Sequence, residues 1–412
     1  MRPTRRAVLG GLLGGAAALA APRRARAEEP RPHYMVLVML SGGVDSILTV
    51  DPKDARTVLG KIDCGYPADQ LLRGERRVYG PLFAPLMPHE SSLAILHGVR
   101  IDTVGHDEAH FSISRGRIGA SVSHPLIADV IGASLPGSAP LPHLAIQDAK
   151  ANTDPVDLLG PTSTAVRISP RSMQQLLRQH PAHGVASDLL TRSREVEGKA
   201  VLAAHAPTAD LYLASAERTL HLRRLIADLP ADNPFFDPQL GIGLHLALHG
   251  IEHDRARFFT VGANLGWFDS HTDNLHIQSQ RVVPALRDVA RLLTLLGERR
   301  NAHGSLLSQT TVVIGSELGR YPRENLVHGK DHWPENSWIL AGRGVRPGVT
   351  IGATDARFQG MKVDHESGST TTGNRRPLYL DTLFATLLHL AGGDPRLHGY
   401  DRDALLRPLL LG

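Results

Sequence analysis

The stretch YMVLVMLSGGVDS, Tyr34 to Ser46, sets seven apolar residues directly against two glycines and an aspartate. An unbroken apolar run of this length is too short for a buried helix and lacks the alternation of a half-exposed strand, so it predicts a strand buried on both faces, as in a parallel sheet. Three further runs repeat the pattern. LAILHGV (93–99) leads into RIDTVGHDEAHFS, RFFTVGA (257–263) into NLGWFDSHTDN, and TVVIG (311–315) into SELGRYP. Helical periodicity fills the intervals, over Ser187–Leu229 with an interruption near Pro207, over Val282–Leu296, and over Leu378–Leu390, where Gly392–Gly393 supply a stop. Strand, polar turn and helix in repetition predict an α/β sandwich with a mostly parallel central sheet and helices on both faces. Gly132–Leu159, rich in Pro and Gly, is expected to run over the surface.

With 412 residues and 42% hydrophobic content the chain can build a large core. Its first 27 residues carry Arg5–Arg6, an apolar run from Ala7 to Ala21 and a small-x-small Ala25-Arg26-Ala27. This is the pattern of a twin-arginine export signal cleaved after Ala27, leaving 28–412 as a single periplasmic or secreted domain. The apolar run falls short of the roughly 20 residues a membrane span needs, so no stable span is expected in the mature chain. The segment holds six Arg and no acid, which turns the formal net charge of +4 into −2 after cleavage. With no excess of positive charge and no basic stripe, nucleic acid is not an expected partner. Cys64 is the single cysteine and reads as a small buried or loop residue.

Ligands of open parallel sheets bind where the loops leave the carboxyl ends of the strands. That is where this chain concentrates its unusual residues: Asp45, then His106 and His110, then Asp269 and His271, then Glu317. Asp331 and His332, in HGKDHWPENSW (328–338), instead precede a strand, expected at 337–342, and join the same edge only if their loop folds back. Carboxylates and imidazoles are the donors of zinc, manganese and mixed divalent sites, and a cation is what makes such a cluster tolerable when desolvated. A dinuclear site would clamp both the attacking and the leaving oxygen of a displacement. His245, His249 and His253, spaced i, i+4, i+8, form a rival metal site, weakened by the want of a carboxylate on that face. Gly42–Gly43 fit either a tight turn or a backbone approach to an anion; Arg320 fits either an oxyanion clamp or an internal ion pair. Trp333 and Trp338 suit packing more than sugar stacking.

As a set, LVMLSGGVDS, LAILHGV with HDEAHFS, GWFDSHTDN, TVVIGSELGRYP and GKDHWPENSWILAGRGVRPGVTIGATD resemble the bacterial domain-of-unknown-function 1501 family from about residue 34 to 400. That family looks like a distant relative of the alkaline phosphatase and sulfatase superfamily. The resemblance implies that superfamily's α/β fold, one or two divalent ions (Zn, Mn, Ca or Mg), and a phosphate or sulfate ester, small or glycan, as substrate. It implies metal roles for Asp45, Asp269, His271, Glu317, Asp331 and His332. His106, His110 and Arg320 are then expected beside the reacting group. Two positions depart from the pattern: Leu318 stands where a His follows the TVVV-type strand, and Ala109 stands where a hydroxyl nucleophile is expected. The expected function is an exported metal-dependent hydrolase; the alternative is a catalytically silent binding or assembly protein of the same fold.

Overall fold

The computed structural model describes residues 31–53, 62–146, 166–168, 217–218, 220–371, 377–401 and 405–411. The expected export signal and most of the helical stretch expected over 187–229 lie outside them.

The unit Pro32–Gly412 is built on one eight-stranded sheet. In chain order its strands are β1 (Tyr34–Met39), β2 (Ala94–Arg100), β3 (Leu141–Ile146), β4 (Val166–Ile168), β5 (Ala256–Gly262), β6 (Thr310–Gly315), β7 (Glu335–Gly342) and β8 (Thr350–Ile351). In space the order is β8-β2-β7-β6-β1-β5-β3-β4. All neighbouring pairs are parallel except those of β7, which is antiparallel to both β6 and β2. The longer helices are α1 (His106–Arg115), α2 (Ile127–Ser134), α3 (Gly241–Glu252), α4 (Asn274–Glu298) and α5 (Leu380–Leu390).

Alternation along β1 shows why the run had to be apolar throughout. Tyr34, Val36 and Val38 point into a core shared with α3 and α4. Met35, Leu37 and Met39 point the other way, toward α1, α2 and α5. Both faces are covered, so every residue of the strand is buried. Burial of each such side chain contributes on the order of 2 kcal/mol.

Two expectations need correction. The excursion expected over 132–159 contains β3 and the last turn of α2. Pro140 and Pro142 disguise the strand, yet β4 pairs with β3 only from Leu144 onward, so the missing N–H of Pro142 leaves no gap on that side. Helix α4 begins at Asn274, eight residues ahead of the apolar stretch that announced it.

The reversal of β7 settles how Asp331 and His332 reach the carboxyl edge. Because β7 runs opposite to its neighbours, its start lies at their ends, with Glu335 opposite Arg100. The preceding loop is pinned there by a short antiparallel ladder, Gly319 opposite Trp333 and Arg320 opposite His332.

Candidate metal centre

Three loops interlock at this edge before any side chain is considered. Phe268 N donates to Ser41 O at 3.0 Å, and Leu40 N donates to Gly315 O at 2.8 Å. Gly42 has φ +124°, and a Cβ there would lie 2.5 Å from Asp269 N, so only glycine lets the β1 loop touch the β5 loop. Gly42 N donates to Glu317 Oε1 at 2.7 Å. The glycine pair therefore serves both functions read from the sequence, with an internal carboxylate as the anion.

Asp269 sits at the middle of a ring of imidazoles. His106 Nε2 lies 3.4 Å from its Oδ2; His271 Nε2 and His332 Nε2 lie 3.2 and 3.6 Å from its Oδ1. His106, Asp269 and His332 each present a donor atom within 4.8 Å of the others. His271 Nε2 is 2.9 Å from His332 Nε2. The far nitrogen of every ring is anchored: His106 Nδ1 to Glu317 Oε1 at 2.7 Å, His271 Nδ1 to Asp331 Oδ1 at 2.9 Å, and His332 Nδ1 to Val104 O at 2.6 Å. Carboxylate and carbonyl oxygens only accept, so each Nδ1 carries a proton and each Nε2 faces Asp269. Asp269 Oδ1 is buried and has no aligned hydrogen bond.

Charge is balanced by position. Burial alone would raise the Asp269 and Glu317 pKa values. For Asp269, the hydrogen bond from His106 and the close approach of His332 and Arg320 reverse this and hold it well below the carboxylate range. For Glu317, the charge of His110 and then the hydrogen bond from His106 do the same. Burial opposes charge on His106, but its bonds to Asp269 and Glu317 outweigh that and lift its pKa to about 9.

Among the residues singled out in the sequence, Asp269, His106, His271 and His332 converge directly. Glu317 and Asp331 stand behind them, each holding an Nδ1. Arg320 is fully buried; it donates to Gly43 O and Lys330 O at 2.9 Å, bonds Gly42 O, and approaches Asp269 Oδ1 at 2.8 Å. Of its two readings, the internal one is the one realised. His110 Nε2 is buried 3.4 Å from Glu317 Oε1 without the alignment of a hydrogen bond. Asp45 is engaged elsewhere, accepting from Lys330 Nζ at 2.9 Å and Asn274 Nδ2 at 2.8 Å in full burial. Ala109 is a core residue packed with Ile113 and Leu318. Trp338 is buried against Phe384, and Trp333 donates to Phe358 O at 2.9 Å, fixing the loop that carries His332. Lys330, Asn274 and Gln278 had passed unnoticed in the sequence; Gln278 bridges Gly43 O and Phe268 O at 3.1 and 2.7 Å. Lys330 and Asn274 both lie inside stretches that had been quoted, and their proximity to other candidates was the available signal.

Residues 143–409 match the family described as Protein of unknown function (DUF1501). The chain belongs to this family. No curated protein matches the DUF1501 chain. Among solved structures it is similar to a putative sulfatase from Bacteroides thetaiotaomicron, with 10% identity over 90% of this chain and 76% of that one and a TM-score of 0.39. It is similar to the lipoteichoic acid synthase LtaP from Listeria monocytogenes, with 8% identity over 79% and 69% and a TM-score of 0.41. It is also similar to the C-terminal periplasmic domain of EptC from Escherichia coli in complex with Zn, with 10% identity over 91% and 86% and a TM-score of 0.43.

Proposed function

We propose that this protein is an exported hydrolase acting on a phosphate or sulfate ester, small-molecule or glycan, with one divalent ion held by His106, Asp269, His271 and His332. The observation that carries the reading is the convergence of three Nε2 atoms on the half-buried Asp269 carboxylate, with each Nδ1 already committed to an oxygen. Three nitrogens and one oxygen favour zinc, then manganese, over calcium or magnesium, which prefer all-oxygen shells. Bound there, the ion would supply Lewis acidity to an ester oxygen and acidify a water.

The remaining residues divide the other tasks. Glu317, Asp331 and the Val104 carbonyl orient the rings. Arg320 steadies Asp269 and ties it to the Gly42–Gly43 turn. Lys330 places an ammonium on Asp45, which leaves that carboxylate no part in a second ion and makes the centre mononuclear. Water is the attacking group in this reading, since Ala109, at the position where a hydroxyl nucleophile was expected, is core. His110, beside Glu317, is the imidazole left for proton transfer. Export rests on the first 27 residues, and no described helix is long and apolar enough to cross a membrane.

The same buried Ala109 favours a second reading, a metal-holding binding protein without turnover. Metal analysis of the purified full chain, with aryl phosphate and aryl sulfate assays on wild type and Asp269→Ala, tests both. One metal equivalent and turnover lost together in Asp269→Ala support the hydrolase. Metal without turnover selects the binding protein, and a wild type that retains no divalent ion sinks both. The first residue of the exported protein, expected to be Glu28, tests the signal.

A further inference from the structure

We propose a second metal site at the carboxyl end of α3, formed by His249, Glu252 and His253 and suited to Zn²⁺. It is separate from the centre at the sheet edge and does not rest on it. Each of the three residues offers a donor atom, and all three atoms lie within 4.8 Å of one another. Positions 249 and 253 are one helical turn apart and 252 is adjacent on the same side, so regular helix geometry brings them together without special loops. The His249 and His253 rings lie 4.4 Å apart between centroids at 62°. Glu252 supplies the carboxylate that the spacing of the histidines alone had left wanting.

His249 is the second, independent sign of a ligand. It is only 4% exposed, and its Nε2 is buried without a hydrogen-bond partner. An interior nitrogen of that kind is expected to find a donor, an acceptor or an ion. His245, one turn earlier and also with an unpartnered buried nitrogen, does not join the group.

The setting suits a cation. His253 caps α3, its N–H closing on His249 O and Ile251 O. Arg299 caps α4 and holds Glu252 through Oε1. The carbonyl end of α3 thus lies at the cluster, where its partial negative charge favours a positive ion. His253 is exposed, so an ion can arrive from solvent and keep water in its remaining position. Two imidazoles and a carboxylate with an open place match zinc and disfavour magnesium. An ion here would pin the end of α3 to the end of α4 through the Glu252–Arg299 pair.

The test uses the full chain, stripped with chelator, reloaded with Zn²⁺ and desalted before metal analysis. Asp269→Ala removes the first centre, so the zinc that remains reports on the second. The expected result is that Asp269→Ala keeps one zinc equivalent, and that adding His253→Gln to it removes that equivalent. Zn²⁺ should raise the melting temperature of Asp269→Ala and leave that of the double variant unchanged, whereas Mg²⁺ should move neither. His253 is exposed, so its replacement by Gln tests ligation without emptying the core. Undiminished zinc in Asp269→Ala/His253→Gln, or no zinc at all in Asp269→Ala, overturns the proposal. Failure of the first centre alone would show instead as a wild type whose zinc is lost through His253→Gln and untouched by Asp269→Ala.

Discussion

His271 Nε2 and His332 Nε2 face each other at 2.9 Å, while Asp331 and Val104 hold the opposite nitrogens of the two rings. Two lone pairs at that distance repel unless a proton or a cation lies with them, and Asp269 beside both supplies the negative charge for one. The anchoring oxygens are what keep the rings from turning away.

Removing such an anchor gives the first prediction. Glu317→Gln keeps the shape and the acceptor for Gly42 N but replaces a charged partner of His106 by a neutral one. Metal affinity should fall about 10- to 100-fold, with the fold intact, as second-sphere carboxylates behave elsewhere. Competition with a chromogenic chelator measures it. An unchanged affinity would remove His106 from the ligand ring.

Asp45 and Lys330 give the second. Both are essentially fully buried and 2.9 Å apart, so removing one partner leaves the other charge stranded. Lys330→Met should destabilise by about 3–5 kcal/mol, and Asp45→Asn/Lys330→Met should recover much of it. Neither Asp45→Asn nor the double variant should lower metal content. A chemical denaturation series with parallel metal analysis decides, and loss of metal in Asp45→Asn would return Asp45 to the ligand set.

Lys330 also shows what the sequence could not disclose. Between Gly329 and Asp331 a lysine reads as solvated, and its burial is set by a carboxylate 285 positions away. The strands β1, β2, β5, β6 and β7 were legible because each apolar run is covered on both faces and stops at a glycine or polar turn. The first turn of α4 was not, because Asn274 and Gln278 face buried polar groups instead of the core. Individual candidate residues stood out by type and by place along the strands. Their division into ring and anchors did not, since spacing along the chain carries no information on which ring nitrogen meets which oxygen.

Acid should weaken the fold through His33. Its Nε2 is 2.8 Å from Thr311 Oγ1, whose own proton goes to Arg343 O, so the imidazole nitrogen must donate. Burial, and then the charge of Arg343, lower its pKa from 6.5 to about 3. A folded value below the unfolded one means a contribution that is complete above the unfolded pKa and is lost as pH falls toward the folded one. At about pH 5 the loss is roughly 2 kcal/mol. His245, lowered to about 4 chiefly by burial, adds in the same direction. Melting curves of wild type should fall steadily below pH 6.5, and His33→Gln should show a shallower acid limb. Equal slopes would locate the acid sensitivity elsewhere.

Gly329 supplies the sharpest steric test of the centre. A Cβ there would sit 1.9 Å from the carbonyl carbon of His271, so the loop that carries Asp331 and His332 lies directly on the loop that carries Asp269 and His271. Asn274 N donating to His328 O at 2.7 Å and Lys330 N to Ser270 O at 3.0 Å clamp the two loops on either side, which leaves no easy retreat. Gly329→Ala should therefore separate His332 from His271 and remove the metal equivalent held at this centre, while the sheet and its cores, which do not involve this contact, persist. Gly266→Ala is the control on the same loop. Gly266 has φ +79° but open space around it, so the change costs only backbone strain, about 1 to 2 kcal/mol, and should leave metal bound. Far-ultraviolet circular dichroism with metal analysis on both variants separates the outcomes: a Gly329→Ala protein that keeps its ion would mean that the close approach of these two loops does not build the site.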